Sequence, residues 1–208
     1  MARDKYDSPL DKVGLSVKSA MAAKSLSVKE MGIGEDLSFN LLGWKGDELI
    51  VISQLAQKYM TIDPQERFRR VADCAVVLRK GWGVDAFTLM AEGYQSSDPS
   101  RTRGIPLPLA YVQIDSPVTE CLTFTHVESD LMMLVTVPYK QTVGRKVVYS
   151  TPQIHENTVA LRDAAYPMMF SDVLENATPV EDLPVDEEEF YDTLVRGLEE
   201  IGFFTACQ

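Results

Sequence analysis

The stretch Val118-Thr119-Glu120-Cys121-Leu122-Thr123-Phe124-Thr125-His126-Val127, with Leu131 to Val137 and Arg145 to Tyr149 after it, decides the fold. All three runs are rich in β-branched and aromatic residues, and only Glu128-Ser129-Asp130 and Gln141 to Gly144 join them. Connections this short link antiparallel neighbours, because a parallel crossover needs about a dozen residues or more. A meander is expected. Upstream, Phe87, Leu89 and Ala91 alternate with Thr88, Met90 and Glu92 in a further strand. Leu37 to Leu41 and Glu48 to Leu55 read as a hairpin turning at Trp44-Lys45-Gly46-Asp47.

Helical signals surround these strands. Val13, Val17, Ala20, Met21 and Lys24 recur at helical spacing, so Val13 to Leu26 is read as a first helix. Asp63-Pro64-Gln65-Glu66 supplies an N-cap, a proline at the first helical position and a carboxylate three residues after the cap. Phe68, Val71, Ala72, Ala75 and Leu78 then form an apolar stripe that Gly81 closes, while Arg67, Arg69, Arg70, Arg79 and Lys80 make the other face basic. Leu107 to Ile114 has room for a short helix after Pro106, and Glu156 to Phe170 is weakly helical. Asp186 caps a last helix through Glu189, with Phe190, Leu194, Leu198 and Ile201 as its apolar face.

The expected architecture is therefore α+β: an antiparallel meander with helices packed on one face, plus an acidic C-terminal helix. The boundaries read as a mobile N-terminus over 1–12, an α+β domain over 13–176, and a linker with the acidic amphipathic helix over 177–208.

Charge is the sharpest functional signal. The chain holds 31 acidic and 20 basic side chains, yet residues 172–208 carry 11 Asp and Glu against the single Arg196. The body is almost neutral and the C-terminal piece supplies nearly all the net charge of −11. That balance argues against an extended DNA-binding face, which must be positive to release counterions from phosphate. No segment approaches a membrane span and the N-terminal residues have no signal-peptide apolar core, so a cytoplasmic protein is expected. Three cysteines, Cys74, Cys121 and Cys207, lack metal or redox spacing and fit reduced thiols.

Catalytic chemistry finds little support in these residues. His126 and His155 lie 29 residues apart and no Cys has a partner at short spacing, so neither a metal site nor a cofactor is expected. Cys121 and His126 share a strand at an odd separation, which puts them on opposite faces of the sheet. Gly32-Ile33-Gly34 lacks the third glycine of a dinucleotide loop. The loop from Ser96 to Gly104 carries Arg101 and Arg103 among hydroxyls, a set that binds an anion by charge-assisted hydrogen bonds. Glu92, Glu120 or His126 nearby would turn that loop into an enzyme or small-ligand site.

Gly81-Trp82-Gly83-Val84-Asp85-Ala86-Phe87-Thr88-Leu89-Met90-Ala91-Glu92-Gly93-Tyr94, with Glu120-Cys121-Leu122-Thr123-Phe124 and the strand pair after it, resembles small proteins encoded by actinobacteria and their phages. The resemblance spans roughly residues 60–150 and implies a cytoplasmic, phage-encoded α+β protein with no activity to carry over. The acidic helix lies outside it.

The favoured function is thus non-catalytic binding or regulation of a macromolecular partner. Phe190, Leu194, Leu198 and Ile201, ringed by Glu187 and Glu188, would form the contact surface, as amphipathic partner helices do. The partner is a protein with a basic surface, or the chain's own helix around Arg67, Arg69 and Arg70. A structural or assembly role follows if the terminal Ile201-Gly202-Phe203-Phe204 buries itself in a homo-oligomer.

Overall fold

Helix α2 (Pro64–Trp82) begins where its sequence signal lies: the Asp63 carboxylate accepts hydrogen bonds from the amides of Gln65 and Glu66. In the computed structural model, which describes residues 8–31, 37, 39–59, 63–98, 100–101, 115–142, 144–180 and 186–207, this helix packs on a sheet of eight strands. The strands are β1 (Asn40–Lys45), β2 (Glu48–Leu55), β3 (Ala86–Ser96), β4 (Val118–Glu128), β5 (Leu131–Thr142), β6 (Lys146–Tyr149), β7 (Gln153–Glu156) and β8 (Phe203–Cys207). Among the described residues the other α-helices are α1 (Pro9–Met31), a one-turn α3 (Val159–Arg162), α4 (Ala165–Asn176) and the acidic α5 (Glu187–Glu200).

The spatial order is β6-β5-β4-β3-β1-β2-β8, with β7 beside β5, and every pairing is antiparallel. The expected meander is the run from β3 to β6. Because β1 lies between β2 and β3, those two strands are parallel and their connection must cross β1, which α2 does. The fold is α+β.

Central strands here are buried on both faces. On β4, Leu122 and Phe124 point one way into a cluster with Val13 and Ala20 of α1. Val127 points the other way into a core that contains Val71, Leu78, Phe87, Phe170 and Leu198. The expectation of helices on one face is corrected accordingly: α2, α4 and α5 share one face, and α1 covers the other. Alternation with period two would have left a wet face, but apolar residues at both parities of β3 and β4 require cover on both sides.

Two lysines seat α1. Lys24, 1% exposed at its side chain, meets Glu92 of β3 at 2.8 Å. Glu92 also accepts hydrogen bonds from the Leu37 amide at 2.7 Å and the Tyr139 hydroxyl at 3.0 Å, so the buried carboxylate is fully satisfied. Lys12 meets Glu128 at 2.9 Å, and the Tyr149 hydroxyl donates to the Met21 carbonyl.

Further departures have local causes. Helix α1 extends past both expected ends, so Lys12, placed in a mobile N-terminus by the sequence, is buried within the fold. Trp44 and Lys45 continue β1 and the turn is tighter, with Gly46 at φ 58°. Helix α2 ends at the left-handed Gly83 instead of Gly81. Pro167 lies in the first turn of α4, where its missing N–H costs nothing. The helix considered for Leu107 to Ile114 lies outside the described residues.

Replacing Lys24 by Met is expected to lower unfolding free energy by about 3 to 5 kcal/mol in urea denaturation, since Glu92 is left charged and buried. A loss under about 1 kcal/mol would show that water reaches the carboxylate.

Candidate functional site

The acidic helix is built into the domain. Asp186 caps α5 by accepting from the Glu189 amide at 3.0 Å, as its sequence spacing predicts. Tyr191 then packs at a tilt against Trp82 of α2, 5.6 Å between ring centroids. Leu194 sits directly over Gly81, where the Cβ of any larger residue would collide with it. Leu198 is fully buried in the main core, and the Ile201 carbonyl accepts from Arg70 at 2.7 Å. After Gly202, at φ 97° and pressed against the Tyr59 ring, the chain enters β8 and pairs with β2 from Leu55 opposite Phe203 to Val51 opposite Cys207.

This geometry corrects the reading of the apolar stripe as a free contact surface, and of 177–208 as an appendage. Leu198 is inaccessible, Phe190, Leu194 and Ile201 are half-buried, and Phe203 is 1% exposed in the core. The stripe docks on α2 through apolar contacts and the Arg70 hydrogen bond. Arg67 meanwhile lies over the Phe39 ring, and Arg69 pairs with Glu66 and Asp73 of its own helix. The basic face of α2 is thereby engaged within the domain.

What α5 presents outward is carboxylate. Asp186, Glu187, Glu188, Glu189, Asp192, Glu199 and Glu200 are all exposed, and Arg196, 3.9 Å from Asp192, is the helix's single cation. Three of them occupy the first turn, where the positive end of the macrodipole favours them by about 0.3 to 1 kcal/mol each. Beside them runs β8, an edge strand with the Phe204 side chain 63% exposed.

The described residues among those weighed for catalysis do not converge. Arg101 is exposed and donates to the Asp115 carbonyl, and Arg103 lies outside the described residues. Glu92 is locked in the Lys24 pair, and Glu120 lies opposite Tyr94 near the other end of β4 from His126. Cys121 and His126 occupy opposite faces, as their odd spacing requires. Burial lifts the Cys121 thiol to a pKa of about 11, with Glu92 and Glu120 adding to the rise. Cys74, Cys121 and Cys207 are all free thiols.

His126 lies near the C-terminal end of β4. It is completely buried, with Nδ1 2.8 Å from the Thr88 hydroxyl, which itself accepts from Trp44 Nε1 at 3.0 Å. The other ring nitrogen faces Glu128 Oε2 at 3.6 Å. A Thr88 hydroxyl donating to Nδ1 leaves the ring proton on Nε2, toward the carboxylate, which is the tautomer these partners favour. Only a polar residue among β-formers in a central strand could have announced this buried chain.

Glu128 lines a cleft of about 310 Å³ at the end of the sheet, together with Lys12, Gly46, Arg79, Asp85, Ser129 and Leu174. Its charges are spent inside the fold. Asp85 accepts from the Gly46 amide, and Arg79 donates to the carbonyls of Val84, Leu174 and Ala177, two of which close the C-terminal end of α4. A second, mostly apolar groove of about 350 Å³ runs between α1 and strands β1 to β3, past Leu15, Ala20, Leu42, Ile52 and Met90. Neither is lined by Arg101, Glu92, Glu120 or His126. Among the described residues no group of three or more His, Cys, Asp or Glu could hold a metal ion, and no helix is long and apolar enough to cross a membrane.

Comparison of the chain with protein-family models, with curated proteins and with solved structures returns no match.

Leu198→Ala is expected to cost about 2 to 5 kcal/mol of stability by urea denaturation, the range for emptying a buried leucine site; an unchanged midpoint would mean that α5 is not seated on α2. A second expectation concerns acid. The His126 ring and the Lys12 ammonium lower Glu128 from 4.5 to a pKa of about 2, so its contribution is complete above pH 4.5 and is lost as pH falls toward 2. Glu128→Gln should flatten that part of the stability profile in pH-dependent thermal melts, by an amount reduced through solvent screening of the partly exposed carboxylate. An identical acid limb in the variant would remove Glu128 from the account.

Proposed function

We propose that this chain is a non-catalytic cytoplasmic binding protein whose contact surface is the exposed acidic flank of α5, and whose partner is a protein with a basic surface. The observation that carries the reading is the division of labour on α5. Leu194, Leu198 and Ile201 of its apolar stripe are consumed by the chain's own core, yet its carboxylates, from Asp186 to Glu200, all face solvent with Arg196 as their sole cation on the helix. Capping and the macrodipole account for Asp186 and the first-turn glutamates but not for Asp192, Glu199 and Glu200. A fixed row of like charges on a rigid helix speeds association with an oppositely charged face and rejects like-charged ones. The free thiols fit the reducing setting of the cytoplasm.

The test replaces Glu188, Asp192 and Glu199 by Lys together, all exposed positions whose change leaves the core intact. Affinity capture from cell lysate by the full chain is expected to retain a basic partner at low salt, to lose it at high salt, and to lose it at least tenfold in the variant, whose melting temperature stays within a few degrees of the parent. Equal capture by the two proteins, or no basic protein bound by the parent, a second copy of the chain included, would overturn the proposal.

A further inference from the structure

The basic surface that fits the acidic edge is present on the chain itself. The sheet is open, ending at β8 on one side and at β6 and β7 on the other. The β5–β6 register sets Lys140 opposite Val148 and Thr142 opposite Lys146, while Tyr139, Tyr149 and Val147 belong to the α1-side cluster. Lys140, Lys146 and Val148 therefore point to the face that carries α2, α4 and α5. All three are exposed, Val148 to 57%, and Arg145 is exposed in the turn beside them. One edge of that face is basic and the other, along α5, is acidic.

The two edges also differ in how they are guarded. Natural sheets block edge pairing with charge, proline or very short strands. The β6–β7 edge is broken between Tyr149 and Gln153 with Pro152 in the gap, and Lys146 stands on it. Strand β8, Phe203-Phe204-Thr205-Ala206-Cys207, has neither charge nor proline. Among the described residues no strand lies beyond its outer edge, and Phe204, next to the core residue Phe203, projects from it on the α1 side.

We propose that β8 of one copy pairs with β6 of a second copy, head to tail, so that the sheet continues with its faces preserved. This rests on the reading of the α5 edge as a contact surface and names the partner as another molecule of the same chain. Glu199 and Glu200, which immediately precede β8, then approach Lys140, Arg145 and Lys146 of the neighbour. On the opposite face Phe204 covers the side of β6 bearing Val147 and Tyr149. A symmetric β8–β8 pair would set two α5 helices side by side on one face, each almost purely acidic, so charge selects the head-to-tail arrangement. Such a contact does not close on itself as a dimer and leads to rings or filaments.

The test is sedimentation velocity of the full chain at low and high salt, from low micromolar to hundreds of micromolar. The parent is expected to show mass rising with concentration beyond a dimer at low salt and falling toward the single chain at high salt. The double variants R145E/K146E and E199K/E200K, all exposed positions, should each remain monomeric and folded by circular dichroism. Mixed in equal amounts they should associate again, because each then offers the edge that the other lacks. A monomeric parent at every concentration, assembly that survives either reversal, or a mixture that stays monomeric would overturn the proposal. A monomeric parent that still captures a basic protein through α5 would overturn the self-association alone and leave the functional reading standing.

Discussion

Two lysine–carboxylate pairs, Lys24–Glu92 buried and Lys12–Glu128 partly exposed, hold this structure in register. Lys12 and Lys24 are twelve residues apart, about 18 Å along a helix that rises 1.5 Å per residue. Their partners, Glu128 on β4 and Glu92 on β3, are separated by a similar distance: Glu92 lies opposite Leu122, six strand residues or roughly 20 Å from Glu128. The match fixes the direction of α1, antiparallel to β4, and its position over the centre of the sheet. A charge as deeply buried as that of Lys24 has one satisfactory site, and Glu92, already bound to the Leu37 amide and Tyr139 hydroxyl, provides it.

The consequences spread across the sheet. With α1 held over β3 and β4, those strands are covered on both faces and can be apolar at both parities. The remaining helices are left to share the opposite face, where α2 crosses β1 and offers its own surface to α4 and α5. Gly81 and Trp82, at the end of α2, receive Leu194 and Tyr191, and that contact directs the chain after α5 onto β2 as the last strand. The acidic helix is thus oriented by its apolar side, and its carboxylates face outward because every other direction is filled.

Much of the architecture was legible locally. The strands β2, β4, β5 and β6 and the Asp63 and Asp186 caps followed from period, turn chemistry and capping, which act between residues close in the chain. The candidate site was legible in its charge and misread in its apolar half. Phe190, Leu194, Leu198 and Ile201 form an amphipathic stripe whether they meet a partner or their own α2, since the periodicity is the same. Likewise β8 is five residues of aromatic and small side chains at the end of an acidic segment, and only the vacant edge of β2 makes it a strand.

Sequence alone determined the fold class, the helix caps, the opposed faces of Cys121 and His126, and the concentration of acid at the C-terminal end. Tertiary structure decided that Lys12 and Lys24 are buried, that His126 joins Thr88 and Trp44 inside the sheet, and that the α5 stripe belongs to the core. The physical reason is range. Periodicity, capping and charge are properties of neighbours along the chain, whereas the cover that makes a lysine, a histidine or a leucine stripe interior comes from segments tens to hundreds of residues away.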